Sequence, residues 1–304
     1  MTDFTIVLPA KNEAKNLRKL LPEIQCLHPH CEIIVVDDGS DDDTAAVCQE
    51  FSVACHRHPY SLGNGAAIKS GVRLSQTDIT VFMDADGQHN PSDIRALIDQ
   101  LALGHEMAVG ARTASTQASL LRRLGNLIYN RLASYMTGHS IPDLTSGFRA
   151  VRTRHFERFL YLLPNGFSYP TTSTMAFFRS GLPVSYVAVS ARERGGKSHI
   201  RLVRDGMRFL MIILRVGTLF SPMRFFLPVS GALFATAISY YGYTYLSSHR
   251  LTNMTVLLAI AALLTFMMGI LAELISALHY KEANLERRLL RRGKSEEQLK
   301  EKQN

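Results

Sequence analysis

The 304-residue chain has room for one large domain or two modest ones, and its apolar content of 46% is ordinary for a globular protein. A net charge of +8 suits a phosphate-rich partner: a nucleic acid, an anionic membrane or a phosphorylated substrate. The four cysteines (Cys26, Cys31, Cys48 and Cys55) form no CxxC pair and no zinc spacing with histidine, which excludes a structural zinc site and leaves reduced thiols as the expectation.

The chain begins on a strand pattern, without the charged and apolar regions of a signal peptide, so the first domain is expected in the cytosol. Strands are predicted over residues 4–8, 32–37, 53–56, 79–83 and 107–111, and helices over 12–26, 42–51, 64–75 and 91–103. This alternation implies an α/β domain with a mostly parallel, Rossmann-like sheet covered on both faces, ending near residue 200. Residues 113–190 are more mixed, with a helix over 120–137 and a late strand over 184–189. In 201–222, Arg201, Arg204, Arg208 and Arg215 fall on one narrow arc of a helix, opposite a broad apolar face. That arrangement predicts an amphipathic helix lying in a membrane interface.

Two long apolar runs follow, 225–248 without a charge and 254–278 with only Glu273. Each exceeds the ~20 residues needed to cross a bilayer, and the turn between them is too short to be a domain. Residues 223–280 therefore read as a transmembrane hairpin, and 281–304 as a basic tail. Arg215 and Arg224 flank one end, and Lys281, Arg287, Arg288, Arg291, Arg292 and Lys294 the other. The positive-inside rule puts both termini and the sheet domain on the cytoplasmic side of the inner (plasma) membrane, in a multi-pass protein. Because the basic residues gather beside the spans, lipid phosphate is favoured over nucleic acid. Glu273 is costly facing lipid; pairing in a homo-oligomer, an interfacial position and contact with a lipid head group all stay open.

In an open parallel sheet, ligands bind beyond the carboxyl ends of the strands. Three polar clusters fall there: Pro9 to Glu13, Asp37 to Asp41, and Asp84 to His89. Asp84 and Asp86, two apart on an expected extended segment, point to one side. With Gln88 they make an oxygen-rich, incomplete shell suited to Mg²⁺ or Mn²⁺ shared with substrate phosphates. The stretch from Gly63 to Ser70 lacks the second glycine of a phosphate loop, since Ile68 stands in its place, which excludes that ATPase class. It reads instead as a turn into a helix whose N-terminus is free to face phosphate or sugar.

The ordered set Ile6-Val7-Leu8-Pro9, Asn12-Glu13, Val35-Val36-Asp37-Asp38-Gly39-Ser40 and Asp84-Ala85-Asp86 resembles the GT-A glycosyltransferases of family 2. The resemblance extends through Gly110-Ala111-Arg112, residues 143–149 and residues 193–198 to the dolichol-phosphate mannosyltransferase and polyprenyl-phosphate glucosyltransferase branch. It implies that Pro9, Asn12, Glu13, Asp37 and Asp38 line a nucleoside pocket, and that Asp84, Asp86 and Gln88 hold metal and diphosphate. It also implies that Arg112, Arg149, Arg194, Lys197 and Ser198 face the phosphates of a nucleotide sugar or of a polyprenyl phosphate acceptor. Asp143 is expected to orient Arg149 or Lys197, with service as a base as the alternative.

The resemblance further implies inverting transfer of a hexose from a UDP- or GDP-sugar. Many family 2 members place a carboxylate base late in the domain, whereas residues 165–179 here contain no acid. A phosphate monoester, with a second pKa near ~6, is mostly a dianion at neutral pH and needs no base. Processive polysaccharide synthases are set aside because their Gln-x-x-Arg-Trp motif requires a tryptophan and the chain has none. The non-enzymatic alternative is a membrane-tethered nucleotide-sugar binding protein or an inactive partner subunit.

Overall fold

The computed structural model describes residues 3–112, 120–166, 168–189, 211, 217–218 and 221–301. They belong to two compact units, Met1–Ile213 and Leu214–Asn304. The first unit opens with β1 (Phe4–Ala10), α1 (Ala14–Leu27), β2 (Glu32–Asp37), α2 (Thr44–Glu50), β3 (Ala54–Arg57), α3 (Asn64–Leu74) and β4 (Ile79–Phe82). It continues with a 3₁₀ turn (Pro91–Asp93), α4 (Ile94–Ala102), β5 (Met107–Arg112), α5 (Leu120–Thr137), β6 (Arg149–Arg152), the single turn α6 (Thr153–Phe156), α7 (Tyr169–Arg179) and β7 (Val184–Val189). The helices that cover the sheet are amphipathic for the expected reason. Leu17, Leu20, Leu21 and Ile24 bury one face of α1, and Ile94, Leu97, Ile98 and Leu101 one face of α4.

The seven strands stand in the order β3-β2-β1-β4-β6-β5-β7. Every pairing is parallel except those of β6, which runs antiparallel to both β4 and β5. This exception matters for the site. The parallel strands β1, β2, β4 and β5 end on one edge, and β6 begins on that same edge, with Arg149 opposite Phe82 and Val109. Residues 143–148, which lead into β6, are thus delivered beside the chain leaving β4.

Neither β6 nor α7 stands out in the sequence. β6 is four residues with an arginine at each end, too short to show a period. In α7, all residues 169–177 are buried, so no polar face alternates with an apolar one.

In the second unit, α8 (Pro222–Ser248) and α9 (Asn253–Glu301) form an antiparallel hairpin. Their apolar stretches, Pro222–Ser247 and Asn253–Leu278, have mean hydropathies of 1.3 and 2.5 and lie mostly exposed, as a lipid-facing surface requires. Small residues line the contact: Ser230 Oγ donates to the Ala262 carbonyl at 2.9 Å, and Gly269 lies against Phe226 and Met223. Glu273 Oε2 accepts from the Met223 backbone N–H at 3.4 Å, so the acid caps the start of α8. No break separates the second span from the basic segment, which continues as the same helix to Glu301. The predicted interfacial helix, with Arg201, Arg204, Arg208 and Arg215, lies outside the described residues.

Candidate active site

The loops after β1 and β2 are latched to each other by four hydrogen bonds. Asn12 N donates to Ser40 Oγ (2.9 Å), Asp41 N to Asn12 Oδ1 (2.8 Å), Glu13 N to Thr44 Oγ1 (3.2 Å) and Ala14 N to Asp42 Oδ2 (3.1 Å). Asn12 makes this possible by adopting a left-handed backbone, φ 57°, which asparagine tolerates better than most residues. Pro9 stands opposite Val36 at the β1–β2 seam, and Glu13 Oε2 accepts from Asn16 Nδ2 at 2.5 Å. The expected nucleoside residues therefore gather at one place, but Asn12 acts through a side chain already engaged with Asp41.

Asp37 and Asp38 have separate jobs. Asp37 Oδ1 accepts from Ser40 N (2.8 Å), while Oδ2 makes no hydrogen bond and lies 3.5 Å from Arg57 Nε. Asp38 is buried and fully engaged, with His58 Nδ1, Ser61 Oγ and the N–H groups of Leu62 and Gly63 all within 2.7–2.9 Å. Burial raises its pKa, but these hydrogen bonds outweigh it and hold the carboxyl below its ordinary range. Asp38 thus organises the 58–63 turn.

The amino end of α3 meets the protein's own backbone. Gly65 N donates to the Gly166 carbonyl (3.1 Å), Ala66 N to that of Asn165 (2.9 Å), and Lys69 Nζ to that of Leu163 (2.9 Å). The helix end is closed by residues 163–166.

β4 ends at Phe82, and the chain turns at Ala85 and Asp86, so Asp84 and Asp86 stand at a turn and not on an extended strand. Gly87 completes it with φ 75°, and Asp86 Oδ1 accepts from Gln88 N at 3.1 Å. The Asp84 side chain is 36% exposed. A Cβ added to Gly147 would stand 3.0 Å from Asp84 Oδ2 and 3.2 Å from the Tyr169 hydroxyl, so only glycine lets the 146–147 backbone pass this close. Tyr169, fully buried, donates to the Gly147 carbonyl at 2.9 Å. Among the described residues no three His, Cys, Asp or Glu side chains form a metal cage.

Arg112 and Asp143 form a two-pronged pair, Nε to Oδ2 at 2.9 Å and NH2 to Oδ1 at 3.2 Å, and Arg112 also donates to Thr145 Oγ1 at 2.7 Å. Burial opposes both charges, yet the pairing wins on both sides: the Asp143 pKa is lowered and the Arg112 pKa is raised, with the Asp84 charge adding to the latter. Asp143 therefore orients Arg112, not Arg149.

Arg149 is enclosed by the protein. It is 0% exposed, and its guanidinium donates to the carbonyls of Ser146 and Pro170, to Ser173 Oγ (2.8 Å) and to Thr174 Oγ1 (3.1 Å). It ties α7 to the 146–147 loop, and its Nε is buried without a hydrogen-bond partner. Arg194, Lys197 and Ser198 lie outside the described residues. The sequence reading passed over His89, Thr145 and Tyr169 as individuals. His89 had a signal in its place beside Gln88; Tyr169 had none, because its role depends on the Gly147 carbonyl.

The family described as glycosyl transferase family 2 is matched over residues 5–160, half of the chain, which contain the Arg112–Asp143 pair and the loops after β1, β2 and β4. The chain belongs to glycosyl transferase family 2. Residues 221–278 match the GtrB C-terminal hairpin, which marks this family 2 member as an integral membrane protein. Glycosyltransferase AglJ of Haloferax volcanii is 24% identical over 91% of this chain and 95% of its own. Polyprenol monophosphomannose synthase of Mycolicibacterium smegmatis is 28% identical over 62% and 77% of the two chains. Glucosyl-3-phosphoglycerate synthase from Mycobacterium tuberculosis, solved with Mn²⁺ and UDP-glucose, superposes with a TM-score of 0.59 at 20% identity, over 71% of this chain and 79% of that one. That likeness shows the shared GT-A fold.

Proposed function

We propose that this enzyme transfers a hexose, with inversion, from a UDP- or GDP-sugar to a polyprenyl phosphate at the cytoplasmic face of the membrane. The observation that carries the acceptor assignment is the state of the acids near the reacting centre. Residues 169–177, where a base would be sought, are buried and contain no acid, and Asp143 is held below its ordinary pKa by Arg112. A base poised near neutral pH is therefore lacking among these groups, and an acceptor that arrives as a dianion needs none. The GtrB-type hairpin supports a lipid-borne acceptor, and the relative from Mycolicibacterium smegmatis is by name a polyprenol monophosphomannose synthase.

Asp84 and Asp86, with Gln88, suit a hard divalent cation that keeps part of its shell for substrate oxygens, and Gly147 leaves the space beside Asp84 unfilled. Mg²⁺ or Mn²⁺ held there would neutralise charge on the departing diphosphate. Arg112, steered by Asp143, contributes a fixed positive charge at the same edge, while Pro9, Asn12, Glu13 and Asp37 shape the nucleoside side. Arg194, Lys197 and Ser198 are assigned to the acceptor phosphate.

The test is a panel of radiolabelled UDP- and GDP-sugars given to the purified full-length protein with undecaprenyl phosphate, with and without EDTA. Metal-dependent, acid-labile label in the lipid phase is expected, with none when undecaprenol replaces its phosphate. Equal transfer to undecaprenol would refute the proposal.

A further inference from the structure

We infer that His89 is a positioning residue that fixes the Asp84 carboxylate for the divalent cation. This inference rests on the proposed metal role of Asp84. His89 follows Gln88 on the β4 turn but points inward, at 6% exposure. Its ring stacks on Phe148 at 4.9 Å with an interplanar angle of 20°. Nε2 lies 3.8 Å from Asp84 Oδ2, just outside hydrogen-bond range, and Nδ1 is buried with no hydrogen-bond partner.

A ring placed here only to fill space would better be phenylalanine, because an unsatisfied buried nitrogen costs about 1–3 kcal/mol. Protonation on Nε2 aims an N–H at the carboxylate and leaves the orphan lone pair on Nδ1. The surroundings hold that aim. A Cβ on Gly110 would come within 2.7 Å of the Phe148 ring, so glycine at 110 admits the ring on which His89 stacks. The residue before Phe148 is Gly147, whose backbone borders Asp84 on the other side. Gly110, Gly147, Phe148 and His89 thus form one chain of contacts ending at a single carboxylate. Carboxylates that bind metals are commonly oriented by such neighbours, and losing the neighbour weakens metal binding about 10–100-fold.

The experiment is a titration of the purified protein with Mn²⁺ alone, followed by the electron paramagnetic resonance of the free ion. H89F keeps the stacking and removes the N–H; its Mn²⁺ dissociation constant is expected to rise about 10–100-fold with an unchanged circular dichroism spectrum. H89Q, which returns an N–H at the position of Nε2, is expected to recover most of the loss, a rescue that a purely space-filling role would not produce. If H89F does not fold, H89M, also without the N–H, carries the same expectation. Binding by H89F within about twofold of wild type, or H89Q as weak as H89F, overturns the role of His89. D84N separates this from the underlying proposal. If D84N binds Mn²⁺ normally the metal reading itself fails, whereas loss in D84N with normal binding in H89F removes only the inference about His89.

Discussion

Replacing Asp143 with asparagine tests whether this acid works through Arg112 or by itself. Asp143 accepts six hydrogen bonds: three from Arg112, two from Thr145 and one from Ser146 N. In D143N one oxygen becomes an NH₂, and at the Oδ2 position it would confront two donors, Arg112 N and Nε. Losing one charge-assisted and one neutral bond is worth ~3 kcal/mol. For a unit of about two hundred residues that lowers Tm by ~6–12 °C. The sign of the pH dependence follows from the direction of the shift. The folded-state pKa of Asp143 is lowered, so the stability it confers is present above the unfolded value near ~3.9 and is lost as pH falls through the folded value. The Tm gap between wild type and D143N should therefore be constant from pH 5 to 8, in about these bounds, and shrink below ~pH 4.

In the transfer assay, removing one donor that stabilises developing charge costs about a hundredfold, ~2.7 kcal/mol. If Asp143 acts by aiming Arg112, then D143N, R112A and the double variant should each lose about a hundredfold in kcat/KM, because the second change removes nothing further. Losses that multiply to about ten-thousandfold would refute the coupling and assign Asp143 a separate role, such as that of a base.

Two further outcomes follow from close backbone approaches. In G65A the new Cβ would lie 2.0 Å from the Pro164 carbonyl oxygen, so the 164–166 segment must move and release its hydrogen bonds to α3; a loss of ~2–5 kcal/mol is expected in chemical denaturation, and a change under 1 kcal/mol would contradict the described closure. In G269V the added carbons meet Phe226 Cβ at 2.8 Å, which should force the hairpin helices apart and weaken cross-linking between cysteines introduced on facing turns of α8 and α9, while unchanged cross-linking would exclude this packing.

Much of the architecture was legible because it is local or periodic. The amphipathic α1 and α4, the β-branched runs of β1, β2 and β4, and the two apolar spans all carry their pattern within a few turns of chain. The polar clusters after β1, β2 and β4 were legible as a site because parallel topology forces those ends onto one edge. β6 and α7 were not legible, since a four-residue strand shows no period and a helix buried throughout shows no face.

The partners that the charged groups of the site take are decided by the fold. The chain dictates that Asp38, Asp143 and Arg149 occur in motifs full of polar residues; nothing local says whether a polar group meets substrate or another part of the protein. Asp38 is held by His58, Ser61 Oγ and the 62–63 backbone, Asp143 by Arg112, and the terminal nitrogens of Arg149 by hydroxyls and carbonyls from α7 and Ser146. Each partner stands 20 to 31 positions away except Ser146; His58 reaches Asp38 because β3 runs parallel beside β2, and Gly39 lets the 60–61 backbone come close. Hydrophobic pattern places an element, but a buried charge takes whatever donors the packed neighbours supply, and those are known only once the neighbours are in place.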